Sequence, residues 1–201
     1  MNNNANHPPL DLGALKQKDK QAFAQLVDLN LDRIFRLALK MVGNPQDAED
    51  VLQETFIKAY NNIDSFKGRS KISTWLYRIA TNEALMMLRR RKDGIIHIDE
   101  GVETDQGDIL PIQIVDWCCL PEKEMMSNET RNHLHDAVQT LSDANRAAFL
   151  LRDVEGLSTR EAAEALDISE SALKVQLMRA RMQLREELSD YFATKMPREN
   201  T

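Results

Sequence analysis

The sequence predicts an all-α protein with two small helical domains joined by a long acidic linker, the C-terminal domain containing a helix-turn-helix. Apolar residues recur at three- and four-residue steps over residues 19–92 and again over 128–192. The period is lost over 93–127, a stretch too long for an ordinary loop. Aromatic residues are scarce and β-branched residues do not alternate, so little sheet is expected. Residues 1–18 are predicted to form a flexible tail and residues 193–201 a second tail.

Three helices are predicted in the first domain. Gly43 ends the first of them, Asn44 caps the second, and Pro45 suits a first helical position because its missing N–H would be unpaired there anyway. After a loop at 64–70, the third helix is predicted from about residue 73 to residue 91.

The second domain is predicted to end in a helix, a short turn and a longer helix. Ser142 caps a preceding helix that extends to Val154. Residues 158–161 form a capping box, in which serine and glutamate satisfy each other's end amides. Ser169 caps the final long helix after a three-residue turn, which is the pattern of a helix-turn-helix.

Charge is strongly segmented along the chain. The net charge is −6, yet residues 67–92 hold eight basic residues and one acid, whereas residues 93–130 hold ten acids and one lysine. Segmentation of this kind indicates surfaces with different partners.

Composition excludes several classes of protein. No apolar run approaches the ~20 residues that a membrane span needs, so no membrane insertion is expected. The first residues lack the basic and apolar regions of a secretory signal. Cys118 and Cys119 are adjacent and do not form a disulfide framework, so a cytoplasmic protein is predicted.

No pattern of catalytic or ligand residues is present. The sequence has no phosphate-binding glycine loop, nucleophile elbow or metal-ligand cluster, so neither an enzyme nor a cofactor is predicted. His97, His133 and His135 are not spaced for a metal site, and a thiol or metal switch involving Cys118 or Cys119 is the less favoured interpretation.

The long helix of the helix-turn-helix carries a face suited to the DNA major groove. Lysine and arginine on such a face contact phosphates or guanine edges. The plainer alternative is two packed helices with a solvated basic face. The candidate contacts are Ser169, Ser171, Ala172, Lys174, Val175, Gln176, Met178, Arg179 and Arg181.

The basic loop and the third helix suit a single strand better than a duplex. Cations attract phosphates, aromatic rings stack on unpaired bases, and threonine and asparagine bond to base edges. For the terminal cations the alternative is a solvated helix end, where positive charge favours the helix dipole. The candidates are Phe66, Lys67, Arg69, Ser70, Lys71, Tyr77, Arg78, Thr81, Asn82, Arg89 and Arg90.

The outer face of the second helix is acidic and would repel nucleic acid. It suits a basic or mixed protein surface, although an ordinary solvated face is the plainer interpretation. The candidates are Asp47, Glu49, Asp50, Gln53, Glu54, Phe56 and Lys58.

These segments together resemble the extracytoplasmic-function sigma factors of the bacterial sigma-70 family. The segment DAEDVLQETF at 47–56 is similar to the family's polymerase-binding segment, and STWLYRIATN at 73–82 is similar to its −10 recognition and melting helix. FKGRSK at 66–71 is similar to the loop that receives a flipped −10 base, with Asn82 beside the pocket. Residues 156–181 are similar to the −35 helix-turn-helix.

The resemblance implies an alternative sigma factor, a monomer when free, that directs promoter-specific initiation. The implied partners are core RNA polymerase (the clamp helices of beta-prime and the flap of beta), promoter DNA and a cognate anti-sigma factor. Gln176 and the pair Ser171-Ala172 depart from common family residues, which leaves the −35 sequence open.

The acidic linker is unusually long for the family, and we hypothesise that it mimics RNA phosphates in a basic channel of the polymerase.

Two other functions compete with the sigma-factor interpretation. One is a stand-alone helix-turn-helix regulator, which would leave residues 47–56 and the basic loop without a role. The other is a helical adaptor that does not bind DNA, for which substitutions of Lys174 and Arg179 would be silent.

Overall fold

The computed structural model describes residues 10–68, 70–93 and 128–195, which are helical apart from turns and short connections. Most of the predicted linker, with Cys118, Cys119 and His97, lies outside the described residues, as does Arg69. The helices are α1 (Leu12–Lys16), α2 (Lys20–Val42), α3 (Pro45–Asn62), α4 (Ile72–Lys92), α5 (Asn128–Thr140), α6 (Asp143–Phe149), α7 (Thr159–Leu166) and α8 (Glu170–Lys195). None of the described helices is long and apolar enough to span a membrane.

The N-terminal segment corrects one expectation. Residues 1–18 were predicted to be a flexible tail, but α1 forms within them, and the Asp11 carboxylate caps it by accepting from the amides of Gly13 and Ala14. Leu15 is fully buried. At five residues the helix is too short to leave a periodic signal, and burial of Leu15 stabilises it.

The junction between α2 and α3 confirms the predicted stop and start signals. Gly43 takes a left-handed conformation with φ of 85°, and its N–H donates to the Leu39 carbonyl. Asn44 Oδ1 then accepts from the Asp47 amide at 2.9 Å, and Pro45 occupies the first turn of α3. A left-handed residue of this kind favours glycine because it has no Cβ.

Helices α2, α3 and α4 pack against one another around a shared apolar core. Its fully buried side chains include Leu26, Ile34, Leu37, Val51 and Leu76. Phe66 is buried in this core, and its ring contacts Trp75, with 5.4 Å between ring centroids. The polar faces of the three helices are thereby held in fixed relative positions.

Helices α5 to α8 form the second group, with α8 packed against α5, α6 and α7. The predicted helix from Ser142 to Val154 is present, but its last turn, Leu150–Val154, is π-helical, with the Glu155 N–H donating to the Leu150 carbonyl. Such turns insert one residue into the helical period and often lie near functional sites. The final helix extends to Lys195, into the predicted tail.

The two groups of helices contact each other directly. Helix α4 packs against α6 and α7, and α2 packs against α5 and α6. This contact surface includes one side of α4, the helix that the sequence analysis assigned to −10 recognition.

Candidate nucleic-acid interface

The outer face of α3 is largely free for a partner. Glu49, Asp50, Gln53 and Glu54 are all exposed. The other three predicted residues differ: Asp47 pairs with Arg91, Lys58 Nζ lies 2.6 Å from Glu83 Oε2, and half-buried Phe56 packs against the core. These three side chains attach α3 to its own domain.

A cavity of about 390 Å³ opens between the basic loop and α4. Its floor is aromatic, because Phe66 and Trp75 both line it. Polar groups from Ser65, Lys67, Ser70, Arg78 and Asn82 surround the floor, together with Ile79 and with Glu164 of α7. Size, aromatic floor and polar edge suit a planar heterocycle that carries hydrogen-bonding groups.

Two predicted contact residues on α4 lie inside the molecule. Tyr77 and Thr81 were expected on the outer face, but they are 4% and 0% exposed. The Tyr77 hydroxyl donates to Glu155 Oε2 at 2.6 Å, and the Thr81 hydroxyl has no hydrogen-bond partner among the described residues. The expectation was wrong because periodicity cannot show that a second domain covers this side of the helix.

The tyrosine is held in its protonated form. Burial raises the pKa of Tyr77 far above its ordinary value of 10.0, and the neighbouring Glu155 carboxylate raises it further. A protonated phenol beside a carboxylate forms a short, charge-assisted hydrogen bond. This bond joins α4 to the segment that follows the π-helical turn.

The last turn of α2 is capped by side chains from three other helices. Arg91 of α4 donates to the Val42 carbonyl, Gln139 of α5 donates to Lys40, and Arg146 of α6 donates to Met41 at 2.5 Å. Terminal carbonyls of a helix lack partners within the helix, so these donors satisfy them.

Arg146 contributes most to this junction. It is buried, and it also donates to the carbonyls of Val138, Gln139 and Leu141 at the end of α5. Burial lowers the pKa of Arg146, and Asp143 partly opposes that shift. A guanidinium remains charged at neutral pH, and these carbonyls replace its hydration.

Helix α8 presents a mixed basic and apolar face. Lys174, Val175, Met178 and Arg179 are exposed, as is Ser171, and Met182 continues the face one turn later. Ser169 caps the helix by accepting from the Ala172 amide at 3.1 Å, as predicted. A groove of about 470 Å³ beside this face is lined by Arg152, Thr159, Lys174, Leu177, Met178, Arg181, Met182 and Arg185.

Three predicted residues of α8 are less available than expected. Ala172 and Gln176 are half-buried, and Gln176 Oε1 has no hydrogen-bond partner among the described residues. Arg181 forms a bidentate pair with Asp153, at 2.8 and 2.7 Å. The hydrogen bond to Asp153 raises the pKa of Arg181 and directs its guanidinium toward the preceding helical segment.

Comparison with known proteins agrees with this arrangement. Residues 26–93 match the model of Sigma-70 region 2, and residues 131–184 match that of Sigma-70, region 4. The ECF RNA polymerase sigma factor SigW of Bacillus subtilis is 39% identical over 176 residues, which cover 88% of this chain and 94% of SigW. The chain belongs to the sigma-70 family, in its ECF group.

Other relatives and solved structures agree with that assignment. The ECF RNA polymerase sigma-E factor of Haemophilus influenzae is 37% identical over 83% of this chain and 87% of its own length. The sigma factor RpoE of Bartonella quintana, solved with the anti-sigma factor NepR, gives a TM-score of 0.59 at 26% identity and covers 84% of this chain and 98% of RpoE. CnrH, solved with the cytosolic domain of CnrY, shares the fold, with a TM-score of 0.63 at 22% identity, covering 89% of this chain and 95% of CnrH.

Sequence reasoning missed two residues of this sigma factor that the structure brings into the candidate surfaces. Ile57 is 53% exposed within the acidic face of α3, next to the position where Phe56 was predicted. Arg152 lies in the π-helical turn and lines the groove beside α8. The only signal for Ile57 was an isoleucine one position after the predicted Phe56. Arg152 was missed because the extra residue of the π-helical turn shifts the helical period.

This sigma factor is an alternative RNA polymerase subunit for transcription initiation. Within the described ranges, 10–68, 70–93 and 128–195, no group of three histidine, cysteine or acidic side chains is placed to hold a metal ion.

Proposed function

We propose that the chain docks on core RNA polymerase through the outer face of α3. The division is a first domain over residues 19–92, extended by α1, and a second over 128–192. The proposal is supported by four exposed polar residues, Glu49, Asp50, Gln53 and Glu54, and by the exposed side chain of Ile57, which follows them on the same helix. Protein interfaces commonly combine exposed apolar side chains with polar and charged ones. The surface on the polymerase is the clamp helices of beta-prime, and the beta flap receives the second domain.

The first domain captures a base of the −10 non-template strand. The single observation that carries this proposal is the cavity between the basic loop and α4, with its aromatic floor and its edge of Lys67, Arg78 and Asn82. A base that leaves the stack loses a few kcal/mol, which stacking and edge contacts in such a cavity offset. We assign Ser70, Lys71, Arg89 and Arg90 to contacts with the adjoining backbone.

The second domain binds −35 duplex through α8. Lys174 and Arg179 approach phosphates or guanine edges, and Val175 and Met178 give apolar contact to thymine methyl groups. Arg152, from the π-helical turn, adds a cation at the edge of the same groove. The free chain is a monomer in the cytoplasm. A cognate anti-sigma factor is its further partner, since the relative RpoE was solved with one.

Core binding provides the direct test of the docking surface. Asp50→Arg should weaken association of the full chain with sigma-free core polymerase at least tenfold, because one charge reversal in a packed interface costs more than about 1.4 kcal/mol. Glu187→Arg, an equal reversal on exposed α8, is the matched control and should bind core like the wild type. The assignment of α3 as the docking surface would fail if both variants lost core binding equally, or if neither variant lost it.

A further inference from the structure

The turn between α1 and α2 holds a lysine in a backbone conformation that lysine rarely adopts. Lys18 has a φ of 57°, and among the described residues Asp167 is the only other non-glycine residue with a positive φ. This left-handed conformation crowds the Cβ atom, so it raises the energy of any residue except glycine. Such strain persists only where the surrounding contacts outweigh it, and it is concentrated at functional sites.

The side chain of Lys18 connects this turn to α3 and to the 3₁₀ turn Ile63–Ser65 that follows α3. Its ammonium lies 5.6 Å from the centroid of the Tyr60 ring and 4.0 Å from Asp64 Oδ2. The Tyr60 ring in turn meets the Phe23 ring of α2 edge-on, with 4.9 Å between centroids. Glycine would suit this backbone better but would make none of these side-chain contacts.

The 3₁₀ turn leads directly into the cavity between the basic loop and α4. Ser65 and Phe66 line that cavity, and Asp64 immediately precedes them. The Phe66 N–H donates to the Ile63 carbonyl at 3.0 Å, which fixes the backbone as it enters the basic loop. Helix α1 also packs against this turn, and its Leu15 is fully buried. The position of the turn therefore determines where Phe66 lies in the aromatic floor of the cavity.

The middle of the basic loop contributes little to its own position. Gly68 has a φ of 68°, and a Cβ atom placed there would meet none of the described atoms within 4 Å. Lys67 beside it is exposed. The loop therefore depends on its ends, and the 3₁₀ turn is the end that Lys18 contacts. A cavity whose floor is already in place binds its ligand at a lower entropic cost.

We propose that Lys18 is a positioning residue for base capture, which acts through Asp64 and Tyr60 to hold the 3₁₀ turn and the aromatic floor in place. The proposal rests on the proposed −10 function of the cavity. Lys18 itself contacts neither the base nor a phosphate. Ion pairs and cation–π contacts at exposed positions are individually weak, so the expected effects are severalfold.

The test is binding of fluorescent −10 non-template oligonucleotides to the complex of the full chain with core polymerase. One oligonucleotide carries the natural element, and in each of the others a single base is replaced by an abasic site. The largest ratio of natural to abasic affinity measures how strongly a base is captured.

Substitutions of Lys18 should change this ratio, and substitutions of neighbouring lysines should not. Lys18→Gln should lower the ratio about threefold, the effect of losing weak exposed contacts. Lys18→Arg keeps a cation near Asp64 and Tyr60 and should retain most of the ratio. The matched controls Lys16→Gln and Lys20→Gln remove the same charge from exposed positions nearby and should leave it unchanged. An equal fall in the controls would reduce the effect to net charge and overturn the proposal.

Asp64 separates positioning from simple attraction of DNA. Asp64→Asn removes a negative charge next to the basic loop, so attraction alone predicts tighter binding and an unchanged ratio. Positioning predicts instead that the ratio falls about as far as in Lys18→Gln. The double variant should lose little more than either single variant, because both substitutions break the same contact. Tighter binding of Asp64→Asn with the wild-type ratio would overturn the positioning role.

Stability provides a second readout that needs no DNA. Glycine accepts a left-handed backbone without strain, so Lys18→Gly should not lower the urea midpoint of the free chain. The same variant should lower the base-capture ratio as Lys18→Gln does. A midpoint that falls together with the ratio would make Lys18 a structural support of the domain and overturn a specific role in base capture.

Failure of the proposed −10 function would look different. If the wild-type complex binds the natural oligonucleotide no better than any abasic one, the cavity captures no base and the −10 assignment fails. If the wild-type complex discriminates, and Lys18→Gln discriminates equally well, only the positioning role of Lys18 fails.

Discussion

Single residues determine much of how this sigma factor holds together. Arg146 is the clearest case, because one buried guanidinium donates to carbonyls at the ends of both α2 and α5. Buried carbonyls that lose a hydrogen-bond donor keep the free-energy cost of removal from water. Arg146 therefore contributes more to stability than a typical surface cation does.

Arg146→Met should lower the free energy of unfolding by at least about 2 kcal/mol, because it leaves several buried carbonyls without donors. Urea denaturation followed by circular dichroism measures the loss. Arg160→Met, at an exposed position, is the control and should change stability by less than about 0.5 kcal/mol. A value for Arg146→Met as small as that of the control would contradict the capping role.

The capping box of α7 gives a prediction that depends on pH. Ser158 hydrogen bonds lower the pKa of Glu161 below its ordinary value of 4.5, so the ionised side chain favours the folded state. Glu161→Gln should therefore cost up to about 1 kcal/mol at pH 7. The difference from wild type should persist above pH 4.5 and vanish as the pH falls through the lowered pKa. Two results would argue against the capping box. One is a stability difference from wild type that stays constant down to pH 3. The other is no stability difference for Glu161→Gln, as for the control Glu187→Gln.

At the scale of helices, local signals could be predicted and distant contacts could not. Gly43, Asn44, Pro45 and the capping box act within four residues, so the sequence alone indicates them. Burial of Tyr77 depends on Glu155, which lies 78 positions away. No periodicity carries that information. The short helix α1 and the π-helical turn were not predicted either, because neither leaves a regular helical period in the sequence.

Recognition by α8 gives a prediction at the same scale. Arg179→Ala should weaken promoter binding by the polymerase complex about tenfold, since a lost base-edge contact costs about 1–3 kcal/mol. Titration of a promoter fragment measures the effect. Glu187→Ala, farther along the same helix, serves as the control. The assignment is wrong if Arg179→Ala binds as tightly as the control, or if a scrambled −35 element weakens both equally.

At the scale of the whole molecule, the sequence predicted two helical domains but not their contact. Each domain has its own apolar periodicity, which short segments reveal. The contact between α4 and α7 joins surfaces with opposite charge, and each alone resembles an ordinary solvated face. The contact therefore cannot be predicted from either domain alone.

Run-off transcription with sigma-free core polymerase on a pool of genomic promoter fragments tests the central claim most directly. New discrete transcripts should appear with the wild-type chain and be lost with Asp50→Arg and with Asn82→Ala. The controls Glu187→Arg and Asn132→Ala, at exposed positions outside the proposed surfaces, should retain them. Absence of transcripts with a folded chain that binds core would contradict the account, as would transcripts that persist in both Asp50→Arg and Asn82→Ala.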